Sequence, residues 1–181
     1  MIFLETEIFG ASLLRPQRQG DERGFFARTF CVRELAEHGI DSSVVQQSVS
    51  FNSRRGTLRG MHYQASPHLE NKFVSCSQGA IYDVIVDVRA DSPSYLRWQA
   101  FPLTAENLDT LFIPAGCAHG FITTADNTLV RYEMSGFYAP DAARGFRFDD
   151  PAFAIKWPLE PAIISPRDLA FPPFGEVSAP K

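Results

Sequence analysis

The sequence predicts an all-β domain: a sandwich or barrel of many short strands, with one short helix and a proline-rich C-terminal wrap. Three observations carry this expectation. Runs of β-branched and aromatic residues recur at a spacing of roughly 8–12 residues between turn signals. Only residues 32–38 show apolar positions at helical spacing. From Pro151 onward, proline becomes too dense for a long helix or a central strand. The 181 residues fit a single domain spanning 1–181, and at 45% hydrophobic and 21% charged the chain sits with soluble globular proteins.

Taken in order, strands are predicted at residues 12–16, 24–30, 44–52, 57–63, 72–77, 80–89, 97–103, 110–113, 119–123 and 129–136. The clearest is Ile81-Tyr82-Asp83-Val84-Ile85-Val86-Asp87-Val88, whose acids Asp83 and Asp87 fall on one alternating face. Gln78-Gly79 just before it reads as a hairpin turn. In the helix, Val32, Leu35 and Ala36 share a face, and Gly39 occupies the position of a C-terminal cap. The tail carries Trp157-Pro158, Glu160-Pro161, Ser165-Pro166 and Pro172-Pro173. It is expected to wrap the domain as ordered coil, burying Ile155, Trp157, Ile163, Ile164 and Phe171. Most of the sixteen Phe are expected in the core, because large rings dominate burial.

A net charge of −4 gives no basic surface for nucleic acid. Of the seventeen basic residues only Lys72, Lys156 and Lys181 are lysines; the rest are arginines, whose forked guanidinium suits a small phosphorylated ligand. Cys31, Cys76 and Cys117 have neither disulfide nor CxxC spacing and read as reduced core residues of a cytoplasmic protein. The acidic N-terminus does not read as a signal peptide, and no apolar run approaches the ~20 residues of a membrane span.

Of the four histidines, His38 ends the helix and His68 lies between Pro67 and Leu69, so solvent and loop are their expected places. His62 stands in Thr57-Leu58-Arg59-Gly60-Met61-His62-Tyr63-Gln64. Strand alternation would put Gly60, His62 and Gln64 on one face and Arg59, Met61 and Tyr63 on the other. Gly60 leaves room for a ligand beside His62, although spacing alone favours a hydrogen-bonded core histidine. His119 follows a Pro-x-Gly turn in Pro114-Ala115-Gly116-Cys117-Ala118-His119. A metal-binding barrel of this kind needs a second histidine two residues after the first. Gln64 stands there, so neither metal nor cofactor is expected.

Leu58-Arg59-Gly60-Met61-His62-Tyr63-Gln64 resembles the signature of the dTDP-4-dehydrorhamnose 3,5-epimerases. The resemblance continues in order through Asp21-Glu22-Arg23-Gly24-Phe25-Phe26, Lys72-Phe73-Val74, Gly79-Ala80-Ile81-Tyr82-Asp83-Val84, residues 113–121, Tyr138-Ala139-Pro140, Asp149-Asp150-Pro151 and Ser165-Pro166-Arg167-Asp168. It implies a cupin jelly roll, a homodimer that exchanges edge strands, no metal, and a nucleotide-diphosphate sugar as substrate. Such an enzyme inverts carbons beside the ketone of a 4-keto-6-deoxy sugar, which requires a base, an acid on the opposite face and a holder for the enolate oxygen. By the resemblance His62 is the base, Asp168 its orienting partner, Tyr132 the acid and Lys72 the cation at the C4 oxygen. Arg59 and His119 resemble the phosphate and oxyanion environment, and Arg23 a further phosphate contact. Tyr138 is similar to the aromatic that packs on the base of the nucleotide. Phe26, Arg28 and Gln47 fall in stretches that contact the nucleoside.

The chain departs from the family pattern at four points. Arg28 stands where the family usually has Glu, and Ser48 where it favours Asn. Glu133 follows Tyr132 in place of Lys, and Ala143 replaces a frequent Glu. Thymine offers an N3–H donor that suits an acceptor, whereas cytosine and guanine offer acceptors that suit Arg28. A CDP- or GDP-linked sugar is therefore the alternative to thymidine, and inversion of a single carbon the alternative to both. A cupin ketoisomerase moving the ketone between C3 and C4, a non-catalytic sugar-nucleotide binder and a metal-dependent oxygenase are the competing classes. The presence of His62, Tyr132, Lys72 and Asp168 together argues against the first two, and Gln64 against the third.

Overall fold

The structure, a computed structural model, describes residues 1–176. In chain order its strands are β1 (Ile2–Glu5), β2 (Ser12–Arg15), β3 (Arg18–Asp21), β4 (Gly24–Ala27), β5 (Gln46–Asn52), β6 (Thr57–Gln64), β7 (Lys72–Gln78), β8 (Ala80–Asp87), β9 (Trp98–Thr104), β10 (Thr110–Ile113), β11 (Cys117–Thr123), β12 (Thr128–Met134), β13 (Ala143–Gly145) and β14 (Ile163–Ile164). Helix α1 (Val32–Glu37) lies between β4 and β5, and α2 (Pro166–Leu169) follows β14.

Two antiparallel sheets face each other. One runs β1-β2-β10-β7-β12-β5; the other runs β13-β6-β11-β8-β9, with β14 added in parallel to the start of β6. The sheets stay separate, so of the two predicted architectures the sandwich is the one adopted. Val74, Cys76 and Val130 from the first sheet meet Ile81, Ile85, Leu103 and Phe121 from the second in the central core. Helix α1 covers the outer face of the first sheet by packing Leu35 onto the Leu14–Phe73–Phe112 cluster. The C-terminal tail covers the outer face of the second, laying Phe153, Ile155, Trp157 and Phe174 over Met61, Val84 and Val86. That covering explains why β8 is buried on both faces although its residues alternate.

Several expectations are corrected. Gln78-Gly79 is not a hairpin: β7 and β8 belong to opposite sheets, and the turn is a corner between them. Gly79 has φ +75, and a Cβ there would lie 2.4 Å from Thr128 Oγ1, so the corner requires glycine. The tail is not all coil. Pro166 takes the first position of α2, where its missing N–H costs nothing, and Ser165 Oγ caps the helix by accepting from the Asp168 N–H. Ile163 is exposed, while Ile155, Trp157, Ile164 and Phe171 are half-buried; the last five residues of the tail lie outside the described residues. Only Leu35 of the predicted helical face is buried, and Val32 and Ala36 remain exposed. The core claims fewer of the phenylalanines than expected: Phe9, Phe25, Phe26, Phe30, Phe51 and Phe137 are exposed. Strands β1, β3, β13 and β14 were not expected from sequence, and β13 and β14, of three and two residues, are too short to show a pattern.

Candidate active site

A cavity of about 340 Å³ opens between the sheets. Ser50, Lys72 and Tyr132 reach it from β5, β7 and β12 on one wall. Arg59, His62, His119 and Phe121 reach it from β6 and β11 on the other, and Ser165, Arg167 and Asp168 arrive with α2. A larger cavity of about 590 Å³, bounded by Tyr63, Val88, Tyr95 and Phe174 among others, has no histidine in its wall. Chemistry, not volume, singles out the first.

The local fold of β6 brings Arg59 and His62 together. His119 pairs with His62, but Phe121 pairs with Arg59, so three steps along β6 match two along β11. This bulge breaks the simple alternation expected from sequence and turns Arg59 onto the face of His62. Gly60 and Gly120 make the bulge feasible. A Cβ on Gly60 would sit 2.6 Å from the Gly120 Cα, and Gly60 has φ +137. The freed Gly60 N–H donates to Asp168 Oδ2 at 3.3 Å.

Asp168 is buried and takes a second hydrogen bond from His62 Nε2, 2.8 Å from its Oδ1. Burial pushes the Asp168 carboxyl up. The His62 ring, the Gly60 N–H and Ser165 more than offset this and hold it below the usual carboxylate range. The ionised carboxylate fixes the proton on Nε2 and leaves Nδ1 with its lone pair. Phe171 packs edge-on against the same ring at 5.6 Å.

A second histidine–carboxylate pair lies deeper. His119 Nε2 is 2.7 Å from Asp83 Oδ1, and both side chains are buried. Among the described residues Asp83 Oδ2 has no hydrogen-bond partner. Burial raises the Asp83 carboxyl above its ordinary value, against the pull of His119 and Lys72. The Tyr132 ring stands 6.0 Å from His119, T-shaped. Burial, and then the charge of Asp83, raises the Tyr132 phenol well above its ordinary value despite Arg59, so the hydroxyl keeps its proton at neutral pH.

Lys72 is no solvated surface lysine: its side chain is 14% exposed and its Nζ lies 3.2 Å from Glu70. Arg59 Nε donates to Asn52 Oδ1 at 2.8 Å, and among the described residues neither Arg59 nor Arg167 forms an ion pair. Their free charge makes this end of the cavity anion-seeking. Among the described residues no group of three His, Cys, Asp or Glu is placed to hold a metal ion.

The cavity thus gathers His62, Tyr132, Lys72, Asp168, Arg59 and His119. It does not gather Arg23, Phe26, Arg28, Gln47 or Tyr138. Arg23, Phe26 and Arg28 belong to the exposed β3–β4 arm and its continuation, where Arg23 pairs with Asp21 and Arg28 with Glu34 of α1. Gln47 alternates onto the outer face of β5 with the exposed Val49 and Phe51, because Ser50 and Asn52 hold the inner face. Tyr138 is exposed on the segment after β12. Asp83 was visible in sequence only as a strand acid. Arg167 sits beside Asp168, and its adjacency was the available signal.

A family model of dTDP-4-dehydrorhamnose 3,5-epimerases matches residues 5–176. The chain belongs to the dTDP-4-dehydrorhamnose 3,5-epimerase family. It is 37% identical over 178 residues to the dTDP-4-dehydrorhamnose 3,5-epimerase of Sinorhizobium fredii, covering 98% of this chain and 91% of that protein. The crystal structure of the Bacillus anthracis dTDP-4-dehydrorhamnose 3,5-epimerase with TDP and PPi bound superposes with a TM-score of 0.92 at 40% identity, over 95% of this chain and 98% of that one. A 3'-monoepimerase from Streptomyces bikiniensis, in complex with dTDP-quinovose, matches with a TM-score of 0.86 at 34% identity, over 94% of this chain and 86% of its own. The sandwich is therefore the cupin-like sandwich of this epimerase family.

Proposed function

We propose that the protein inverts C3 and C5 of a dTDP-linked 4-keto-6-deoxyhexose, as the family name describes. The observation that carries this is the pairing across one cavity of an oriented histidine with a tyrosine that stays protonated. His62 with Asp168 stands on the β6 wall, and Tyr132 on the β12 wall. His62 Nδ1 removes a proton from the carbon beside the ketone, and the electron pair moves onto the C4 oxygen as an enolate. Lys72 and His119 stabilise that oxygen. Tyr132 then delivers its proton to the opposite face of the same carbon. The His62 imidazolium and the Tyr132 phenolate return to their starting states by exchange with water. Arg59 and Arg167 hold the diphosphate.

The β3–β4 arm leaves Phe25 and Phe26 in solvent, and the outer face of β5 leaves Val49 and Phe51 there. This supports a homodimer in which one protomer's arm carries Arg23 and Phe26 to its partner. Among the described residues no helix is long and apolar enough to cross a membrane, and the free cysteines Cys76 and Cys117 are buried; a cytoplasmic enzyme fits both. Arg28 is engaged by Glu34, which supports thymidine over a nucleotide whose acceptors would need that guanidinium.

Incubating the protein in D2O with dTDP-4-keto-6-deoxyglucose tests the reading. Loss of both the C3 and C5 proton signals by NMR is the expected result. The similarity to a 3'-monoepimerase favours one second reading, inversion of C3 alone, in which only the C3 signal is lost. No exchange at either carbon overturns both.

A further inference from the structure

The segment joining β12 to β13 is tied at both ends to the walls of the cavity. At its start Met134 is the strand partner of Lys72; at its end Ala143 and Gly145 are the partners of Gln64 and His62. Between them, residues 137–139 lie in neither helix nor strand, yet carry two large rings in solvent, Phe137 at 70% and Tyr138 at 57% exposure. Apolar surface left in water gives nothing to hold these rings in place. The backbone beneath them is held instead by two side-chain amides.

The Tyr138 N–H donates to Gln46 Oε1 at 2.7 Å. The Ala139 N–H donates to Gln64 Oε1 at 2.7 Å, and Gln64 Nε2 donates back to the Phe137 carbonyl at 3.2 Å. Gln64 Nε2 also donates to the His68 carbonyl at 3.1 Å, which ties down the loop after β6. The Gln64 side chain is buried, and its carboxamide engages only backbone groups. At neutral pH an amide satisfies all three of these backbone groups. A leucine would orphan two carbonyls and an N–H, and a carboxylate would face two carbonyl oxygens.

We propose that Gln64, assisted by Gln46, is a positioning residue that clamps residues 137–139 and so presents Tyr138 as a rigid stacking surface for the nucleotide. This rests on the reading that the ligand is a nucleotide sugar whose base packs on Tyr138, as the family resemblance implies. Gln64 touches no reacting atom; it acts through Tyr138, two residues along β6 from His62.

The test measures the dissociation constant of dTDP by calorimetry on the full-length protein, together with KM and kcat for the keto sugar. Gln64→Leu is expected to weaken dTDP binding about tenfold and to raise KM in parallel, with kcat changed less than about threefold. In a Tyr138→Ala background the same substitution should add less than about twofold, because the ring it positions is gone. Gln64→Glu should bind weakly at pH 8 and recover toward wild type at pH 5.5. There a protonated carboxyl again donates one hydrogen bond and accepts another. If Gln64→Leu does not fold, the pH response of Gln64→Glu decides. Binding of dTDP unchanged in the Gln64 variants, an undiminished loss in the Tyr138→Ala background, or no recovery of Gln64→Glu at low pH overturns the clamp alone. Wild-type protein that does not bind dTDP overturns it together with the function it rests on.

Discussion

His62 and Tyr132 face each other from different sheets, and their surroundings divide the labour. Asp168 holds the proton of His62 on Nε2, while burial keeps the proton of Tyr132 on its oxygen. Removing either group should therefore break a different half-reaction. Tyr132→Phe should still exchange the acidic proton with D2O, since base and enolate pocket are intact, but form inverted product about 100-fold more slowly. NMR in D2O reads both rates in one tube, and equal losses in both would sink the assignment of the acid. His62→Ala should lose exchange and turnover together, by about 10²–10⁴-fold, while dTDP affinity measured by calorimetry stays near wild type. The sequence makes His62 and Lys72 legible because their motifs are continuous. Asp83 was not, because nothing in an alternating strand says whether an acid faces water or a core. Here β11 and the central core close over it, leaving one oxygen without a partner among the described residues.

At the scale of elements, the bulge in β6 is the feature that a pattern of period two hides. Alternation assigned Arg59 and His62 to opposite faces; the extra residue in β6 unites them, and Gly60 with Gly120 allows the strands to meet there. Gly60→Ala should be costly on two counts. Its φ of +137 is a region L residues rarely adopt, and the new methyl would press on the Gly120 backbone. Chemical denaturation should show a loss of about 2–4 kcal/mol, and dTDP binding should weaken as Arg59 turns away. Helix α2 was hidden for a different reason. Proline reads as a breaker, yet at the first helical position it initiates, and the four-residue helix that follows delivers Asp168 to His62. Ser165→Ala should remove about 1 kcal/mol of that cap and lower the exchange rate more than nucleotide affinity, because the carboxylate and not the arginines loses its seat. By contrast, the long strands β5 to β9 fall close to where their β-branched runs placed them, since burial on one or both faces leaves a strong pattern.

For the whole molecule, the sandwich has to be closed where β8 hands the chain to the loop before β9, and one buried carboxylate does this. Asp87 is fully buried and accepts from Arg89, Ser92 and Ser94. Arg89 reaches on to the Phe9 carbonyl, which ties the N-terminal segment to the second sheet. Burial alone would push the Asp87 carboxyl up; the guanidinium and hydroxyl donors more than reverse this and bring it down to about 2. A carboxylate depressed in the folded state stabilises it at all pH values above its unfolded pKa. That stabilisation is lost as pH falls through the folded value. The difference from the ordinary carboxyl value of 3.8 corresponds to roughly 2 kcal/mol at neutral pH. Thermal melts should therefore show stability falling between about pH 4 and pH 2. Asp87→Asn should lower the melting temperature at pH 7 by about 4–8 °C and flatten the dependence below pH 4. Asp83 has the opposite sign. Its carboxyl is raised by burial, so its contribution to stability declines as pH climbs above the unfolded value and through the folded one, and Asp83→Asn should flatten that decline. A wild-type melting temperature that does not change from pH 4 to pH 2, with Asp87→Asn following the same curve, would show that the Asp87 cluster contributes no pH-dependent stability to the fold.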